Sequence, residues 1–343
     1  MLRYFGWAYA FTAAGLLGAF WLGWSYSGTM SGALSFLMIG VILAVLEISL
    51  SFDNAIVNAN KLEQMTPVWR HRFLTWGIII AVFGMRIIFP LLVVVVAARI
   101  GPIEAIRLAA TDPEQYAQII HGAHLSIAAF GGAFLMMVAL SYFVDAEKDV
   151  DWISGIERSL RRFGAIKGTE IALVLLVMLG FSSALPEAQR GTFLYASVFG
   201  LIVFLGVELL GQILDRSDAT GQVARGGLGA FLYLEVLDAS FSFDGVIGAF
   251  ALTQNLFLIA IGLGIGAMYV RSMTIMLVER KTLTEFRYLE HGAFWSILVL
   301  SVIMFAQTLV HIPEVVTGLL GAGFIGLSLL SSLRYNRLVD HKL

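Results

Sequence analysis

EISLSFDNAIV, Glu47 to Val57, sets two acids and two serines inside an apolar run that begins near Ala33. Carboxylates in hydrocarbon are costly and persist where they face a partner, water or an ion. The stretch has a second copy: DASFSFDGVIG, Asp238 to Gly248, repeats acid, Ser, Ser, Phe, Asp in register. The shared pattern is [ED]-x-S-x-S-F-D-[NG]. Each copy is followed by a further echo, HGAHLSI at His121 to Ile127 and HGAFWSI at His291 to Ile297. Two echoes in one order predict an internal duplication.

The surrounding composition fixes the medium. Residues of the AVILMFWYC set make up 59% of the 343, and 35 glycines come on top of that. Soluble domains hold about 45–50% with glycine included. With 13% charged residues and several apolar runs of membrane length, the chain reads as all-α, a polytopic helical membrane protein of about ten transmembrane helices. The net charge of −2 and the scattered cations set nucleic acid aside as a partner. The chain has no cysteine, which excludes disulfides and removes thiolate as a metal ligand.

The expected spans run over about 5–24, 34–58, 73–98, 123–144, 169–186, 193–213, 228–252, 256–279, 292–311 and 315–333. The first is read as an uncleaved helix: Phe5 to Trp24 is longer than a signal-peptide core and no A-x-A site follows. These spans organise the chain into an N-terminal helix (1–32), a first repeat (33–144) and a connection (145–168). Two linking helices (169–227), a second repeat (228–311) and a last helix with its tail (312–343) complete it. The connection carries mixed charge with an apolar rhythm at Trp152, Ile153, Ile156 and Leu160, which predicts a short surface helix with one solvated face. Seventeen of the 22 Lys and Arg fall on the side of the N-terminus, three on the other, and Arg86 and Arg271 inside spans. Since cations gather in cytoplasmic loops, both termini and the connection are expected in the cytoplasm.

The two motif copies lie on the second and seventh spans and therefore run in opposite directions, as an inverted repeat of three-helix units requires. Such repeats place a substrate site near the bilayer midplane, on interrupted helices. Glu47 and Asp53, six residues apart, are about 240° apart on an ideal helix. A break near Ser49 to Ser51 would let both converge, with serine hydroxyls satisfying the freed backbone groups. Asn54 and Gly245, each directly after the motif Asp, tolerate a local bend. Metal-ligand candidates are therefore Glu47, Asp53, Asp238 and Asp244, with Ser49, Ser240 and Asn54 beside them. A site of carboxylates, hydroxyls and carbonyls suits manganese, calcium or magnesium.

Other polar residues in the spans carry two readings each. Arg86 and Arg271 each follow their motif by one span, as counter-charges or gates that occupy the empty site, or as static ion pairs. Glu208 and Glu235 have no repeat partner and are candidates for proton carriers or for satisfied structural acids. His121 and His291 are expected to pack against glycine. Gly262, Gly264 and Gly266 read as close helix packing, not as a phosphate loop.

LEISLSFDNAIV and LDASFSFDGVI resemble the paired acidic signatures of the TerC family of integral membrane proteins, in particular its DUF475 branch. The resemblance runs from about Ala33 to Gln307. It implies membership of the LysE-like transporter grouping and export of manganese or a neighbouring divalent metal, with tellurite resistance as the source of the name. It assigns Glu47 and Asp53, Asp238 and Asp244 as the matching acids, Asn54 as the usual Asn, and Arg86 as the intramembrane Arg. The long 145–168 connection and the extra N-terminal span depart from the family pattern. The expectation is a metal-exporting transporter of a bacterial-type inner membrane, not an enzyme. Its substrate is a divalent ion, proton antiport is its candidate coupling, and no resident cofactor is expected. A non-transporting scaffold of a stress-resistance complex is the alternative. An intramembrane aspartyl protease would also use two Asp on neighbouring helices, but its G-x-G-D signature is absent and the serines would go unexplained.

Overall fold

The computed structural model describes residues 2–77, 79–145, 148–164, 166, 168–216 and 227–340. Every regular element among them is helical. In chain order these are α1 (Leu2–Ser27), α2 (Met30–Leu50), α3 (Phe52–Glu63) and α4 (Pro67–Arg72). Two π-helical segments, Phe73–Gly77 and Ile80–Ile88, lead into α5 (Phe89–Ala98). Then come α6 (Pro102–Thr111), α7 (Pro113–Gly122), α8 (His124–Val144), α9 (Ser154–Gly164), α10 (Thr169–Ala184) and α11 (Glu187–Arg216). The chain ends with α12 (Leu228–Leu252), α13 (Leu256–Glu279), α14 (Thr282–Glu285), α15 (Leu289–Ala306) and α16 (Glu314–Asp340).

Local chemistry sets the boundaries. Gly28 ends α1 at φ +62°, a conformation that costs glycine nothing. The Thr29 hydroxyl then caps α2 by accepting the Gly32 N–H at 3.2 Å. Asp112 caps α7 by accepting from Gln115 N–H, with Pro113 in the first turn. Pro90 cannot donate to the Arg86 carbonyl, and its ring would crowd that carbonyl in a tight α turn. The turn before it is wider: Phe89 N–H reaches back to the Gly84 carbonyl.

The helices form two compact units. The first comprises Met1–Ala55, Thr66–His124 and Leu234–Met276. Its core gathers Leu43, Tyr116, Phe250, Leu256, Ile259 and Leu263. α2 and α13 approach closely through glycine: a side-chain carbon at Gly262 would stand 2.5 Å from Leu43 Cβ, and one at Gly266 2.3 Å from Glu47 Cγ. At Gly262 and Gly266 the close-packing reading therefore holds.

The second unit comprises Ile56–Met65, Leu125–Tyr233 and Leu277–Leu343. α8 is buried along most of its length, from Ile127 to Phe143. Phe305 on α15 meets Phe181 and Phe193 at 5.5 and 5.4 Å between ring centres, and Gly132 makes room for its edge. Tyr142 and Phe294 stack at 3.8 Å.

Seven of the described helices are long and apolar enough to cross a membrane: α1, α2, α8, α11, α13, α15 and α16. Their outward faces carry large apolar side chains such as Trp7, Trp21, Tyr195 and Leu319, as lipid contact demands. The chain is a multi-pass membrane protein. The expected 34–58 span is cut at Ser51, and the 73–98 run is partly π-helical. The 169–186 span is a helix of 16 residues, and α12, though long enough, carries Glu235, Asp238 and Asp244. Residues 217–226, in the expected link between the sixth and seventh spans, lie outside the described residues, as do Lys167 and Lys342 among the cations counted for topology.

Candidate functional site

The first motif copy stands at a helix break. α2 stops at Leu50, Ser51 takes φ −101°, ψ 17°, and α3 starts at Phe52. Ser51 N–H still reaches the Glu47 carbonyl at 3.0 Å, and its hydroxyl donates to Glu47 Oε1 at 3.2 Å. Asp53 falls in the first turn of α3, where a helix N-terminus favours negative charge. It is buried, and its Oδ1 accepts from Asn54 N–H at 2.8 Å.

In the second copy the backbone does not break: α12 runs continuously through Asp238, Ser240, Ser242 and Gly245. Asp238, Ser240 and Ser242 are buried. The side chain of Asp244 lies outside the described residues.

Within the first unit the two copies meet reciprocally. Asn54, eighth in the first copy, donates from Nδ2 to Oδ1 of Asp238, first in the second copy, at 2.5 Å. Gly245, eighth in the second copy, faces Glu47, first in the first copy: a side-chain carbon at Gly245 would lie 3.0 Å from Glu47 Oε2. On the unbroken α12 positions seven apart share a helix face, so Asp238 and Gly245 point the same way, and across the break at Ser51 Asn54 and Glu47 meet them. Arg86, buried on the second π-helical segment, joins the leading acids. Its guanidinium lies 2.5 Å from Glu47 Oε1 and 3.7 Å from Asp238 Oδ2. π-Helical turns of this kind are common at functional sites.

Glu235, one turn before Asp238 on α12, is also buried, and its Oε1 has no hydrogen-bond partner among the described residues. Gly77 leaves room for it, since a side-chain carbon there would stand 2.8 Å from that oxygen. Among the described residues no three carboxylates or imidazoles gather closely enough to hold one ion.

A family model described as Protein of unknown function (DUF475) matches residues 52–339. The chain belongs to this family. No curated protein and no solved structure matches it. The DUF475 match takes in Asp53, Asn54, Arg86 and the whole second motif, and begins after Glu47.

Other candidate residues of this DUF475 chain make different contacts. Ser49 is exposed and donates to the Val45 carbonyl at 2.8 Å, while Ser240 donates to the Val236 carbonyl. Arg271 is partly buried on α13, with Nε unpartnered and no ion pair among the described residues. Glu208 lines a cavity of about 450 Å³ in the second unit with Lys61, Asp145, Gln212 and Tyr233.

Sequence reasoning placed Ser51 at the break but left it out of the site residues, although its position four residues after Glu47 puts it one helical turn away. It also passed over Glu157 on α9, a buried acid that accepts five hydrogen bonds. Those come from Lys148 Nζ at 2.7 Å, His291 Nδ1 and Trp295 Nε1 at 2.9 Å each, Ile153 N–H at 3.1 Å and Trp152 N–H at 3.2 Å. A carboxylate only accepts, so His291 carries its proton on Nδ1. His291 thus bonds to an acid instead of merely packing. The signal for Glu157 was its spacing: with Ile153 and Leu160 it repeats at three and four residues, on the inward face.

Proposed function

We propose that the chain exports a divalent metal ion, manganese before calcium or magnesium, through the acids of the doubled motif. The observation that carries this reading is the reciprocal meeting of Glu47 with Gly245 and of Asp238 with Asn54 around Arg86. Two copies that run antiparallel and touch through equivalent positions are what an inverted repeat of three-helix units, in a ten-span fold, would produce at its centre. The resemblance to the TerC family and the LysE-like grouping points the same way.

In this reading Arg86 neutralises Glu47 and Asp238 while the site is empty. An incoming metal takes its place with Asp53, Asp244 and Asn54, and oxygen donors of this kind suit a hard cation. Glu235 and Glu208 carry protons in the return direction, so that proton antiport drives export. Both termini face the cytoplasm of a bacterial-type inner membrane, by the cation asymmetry.

The second reading is a non-transporting scaffold of a stress-resistance complex. Two observations favour it: Arg86 already pairs with the acids, and the described residues hold no three-ligand cluster. Purified protein in liposomes separates the two. A manganese flux that reverses with the sign of an imposed pH gradient at clamped potential supports antiport; a flux indifferent to it supports a uniporter, and no flux supports the scaffold.

A further inference from the structure

The second unit carries a surface whose chemistry the transport reading does not use. α9 contains one acid, Glu157, and it is fully buried, so every exposed charge on this helix is positive. The five hydrogen bonds to Glu157 fix how α9 is rotated. Arg161, one turn on, is held inward by Asp151 at 2.9 Å and by the Lys148 carbonyl at 2.6 Å. The residues turned away from Glu157, namely Arg158, Ser159 and Arg162, are exposed. Beside them Ile156 is 52% and Ile166 67% exposed.

Contacts place α9 at the end of two apolar helices. His291 and Trp295 lie in the first two turns of α15. Trp152 Nε1 donates to Ser331 Oγ of α16 at 3.0 Å, and Tyr288 N–H, just before α15, donates to Ser332 Oγ at 2.9 Å. The start of α15 and the far end of α16 are therefore adjacent, and α9 rests on them. The same end exposes Arg287, Arg334 and Arg337. A short helix at the end of membrane-crossing helices, with arginine and isoleucine outward and its acid buried, matches the composition of a bilayer interface.

We propose that α9 is a fixed interfacial helix that binds anionic phospholipid headgroups through Arg158 and Arg162, with Ile156 and Ile166 seated at the acyl boundary. Guanidinium forks hold phosphate oxygens in pairs. Each basic residue near an anionic surface adds about fivefold to the local preference, so the pair enriches anionic lipid up to about thirtyfold beside α9.

The test uses the full chain, which has no native cysteine. Ser159→Cys, labelled with a bimane, is reconstituted in vesicles containing brominated phosphatidylglycerol or brominated phosphatidylcholine at equal mole fraction. The expected result is markedly stronger quenching by the brominated anionic lipid, weakened by high salt and abolished in the Arg158→Gln, Arg162→Gln double variant. Inorganic phosphate added at matched ionic strength leaves the preference unchanged. Equal quenching by the two lipids, or a preference that survives the double variant, overturns the proposal. Loss of the preference with inorganic phosphate alone also overturns it, because the arginines would then form a free-phosphate site. Metal flux plays no part in the readout, so this result and the transport reading stand or fall separately.

Discussion

Two buried acidic centres in this chain are satisfied very differently. In the second unit one carboxylate, Glu157, takes five donors, two of them on the cationic or imidazole side chains of Lys148 and His291. In the first unit Glu47 and Asp238 share one guanidinium, and Glu235 Oε1 has no donor among the described residues. A saturated carboxylate holds structure together, and replacing it breaks that structure. An undersaturated group of carboxylates is costly to bury and keeps capacity for another cation. The contrast separates the acid that fastens α9 from the acids proposed to meet an ion.

Breaking the pairing at Arg86 has the largest expected effect. Arg86→Met removes the one cation that pairs with Glu47 and Asp238 among the described residues, and destabilises by about 3–5 kcal/mol. If these acids have room for a metal, manganese should raise the unfolding temperature of the variant in detergent more than that of the wild type. A variant that unfolds early and ignores manganese would make Arg86 a static pair.

Glu157→Ala comes next. Removing the acceptor strands several buried donors, at a cost of about 1–3 kcal/mol for each that water does not reach, and exposes the 145–168 connection to protease. Transport per folded molecule is expected to stay at the wild-type level. A variant that stays stable but loses flux would reverse the roles of the two centres.

Acid sharpens the same contrast. Burial pushes the Glu157 carboxyl up, but hydrogen bonds from His291, Lys148, Trp295 and Ile153 N–H hold it well below the usual carboxylate range. Its folded value lies below the unfolded one, so its stabilisation is complete above about pH 4.3 and is lost as pH falls from there through the lowered value. Protease sensitivity of the connection should therefore rise on acidification below about pH 4, and Glu157→Gln should flatten that dependence.

The smallest effect distinguishes the two motif copies. Ser51→Ala loses a hydrogen bond to the buried Glu47 carboxylate, about 1.5–3 kcal/mol at most. The equivalent Ser242 has a buried hydroxyl with no partner among the described residues, so Ser242→Ala should be neutral or slightly stabilising. Equal losses at both positions would mean that the copies are built alike despite their different backbones.

The membrane class, the doubled motif and the break at Ser51 were legible because each rests on local chemistry: apolar run length, repeated residue types, and serines beside a buried acid. So was the packing role of Gly262 and Gly266, from small residues four apart. The continuity of α12 was not legible. Both copies share the motif but not the residues after it: α3 goes on through Asn58, Asn60 and Lys61, whereas α12 stays apolar through Val246 and Phe250. The π-helical turns before Pro90 left no signal beyond the proline. The saturation of Glu157 depends on Lys148, His291 and Trp295, two of them far along the chain, and only the folded chain brings these together.

The central claim rests on the acids of the doubled motif, and manganese flux into proteoliposomes tests it most directly. Wild-type protein should carry the ion, and Asp53→Asn and Asp244→Asn should each reduce flux to that of empty vesicles while remaining folded and inserted. Wild-type flux retained by either variant, or none from the wild type itself, would contradict the account.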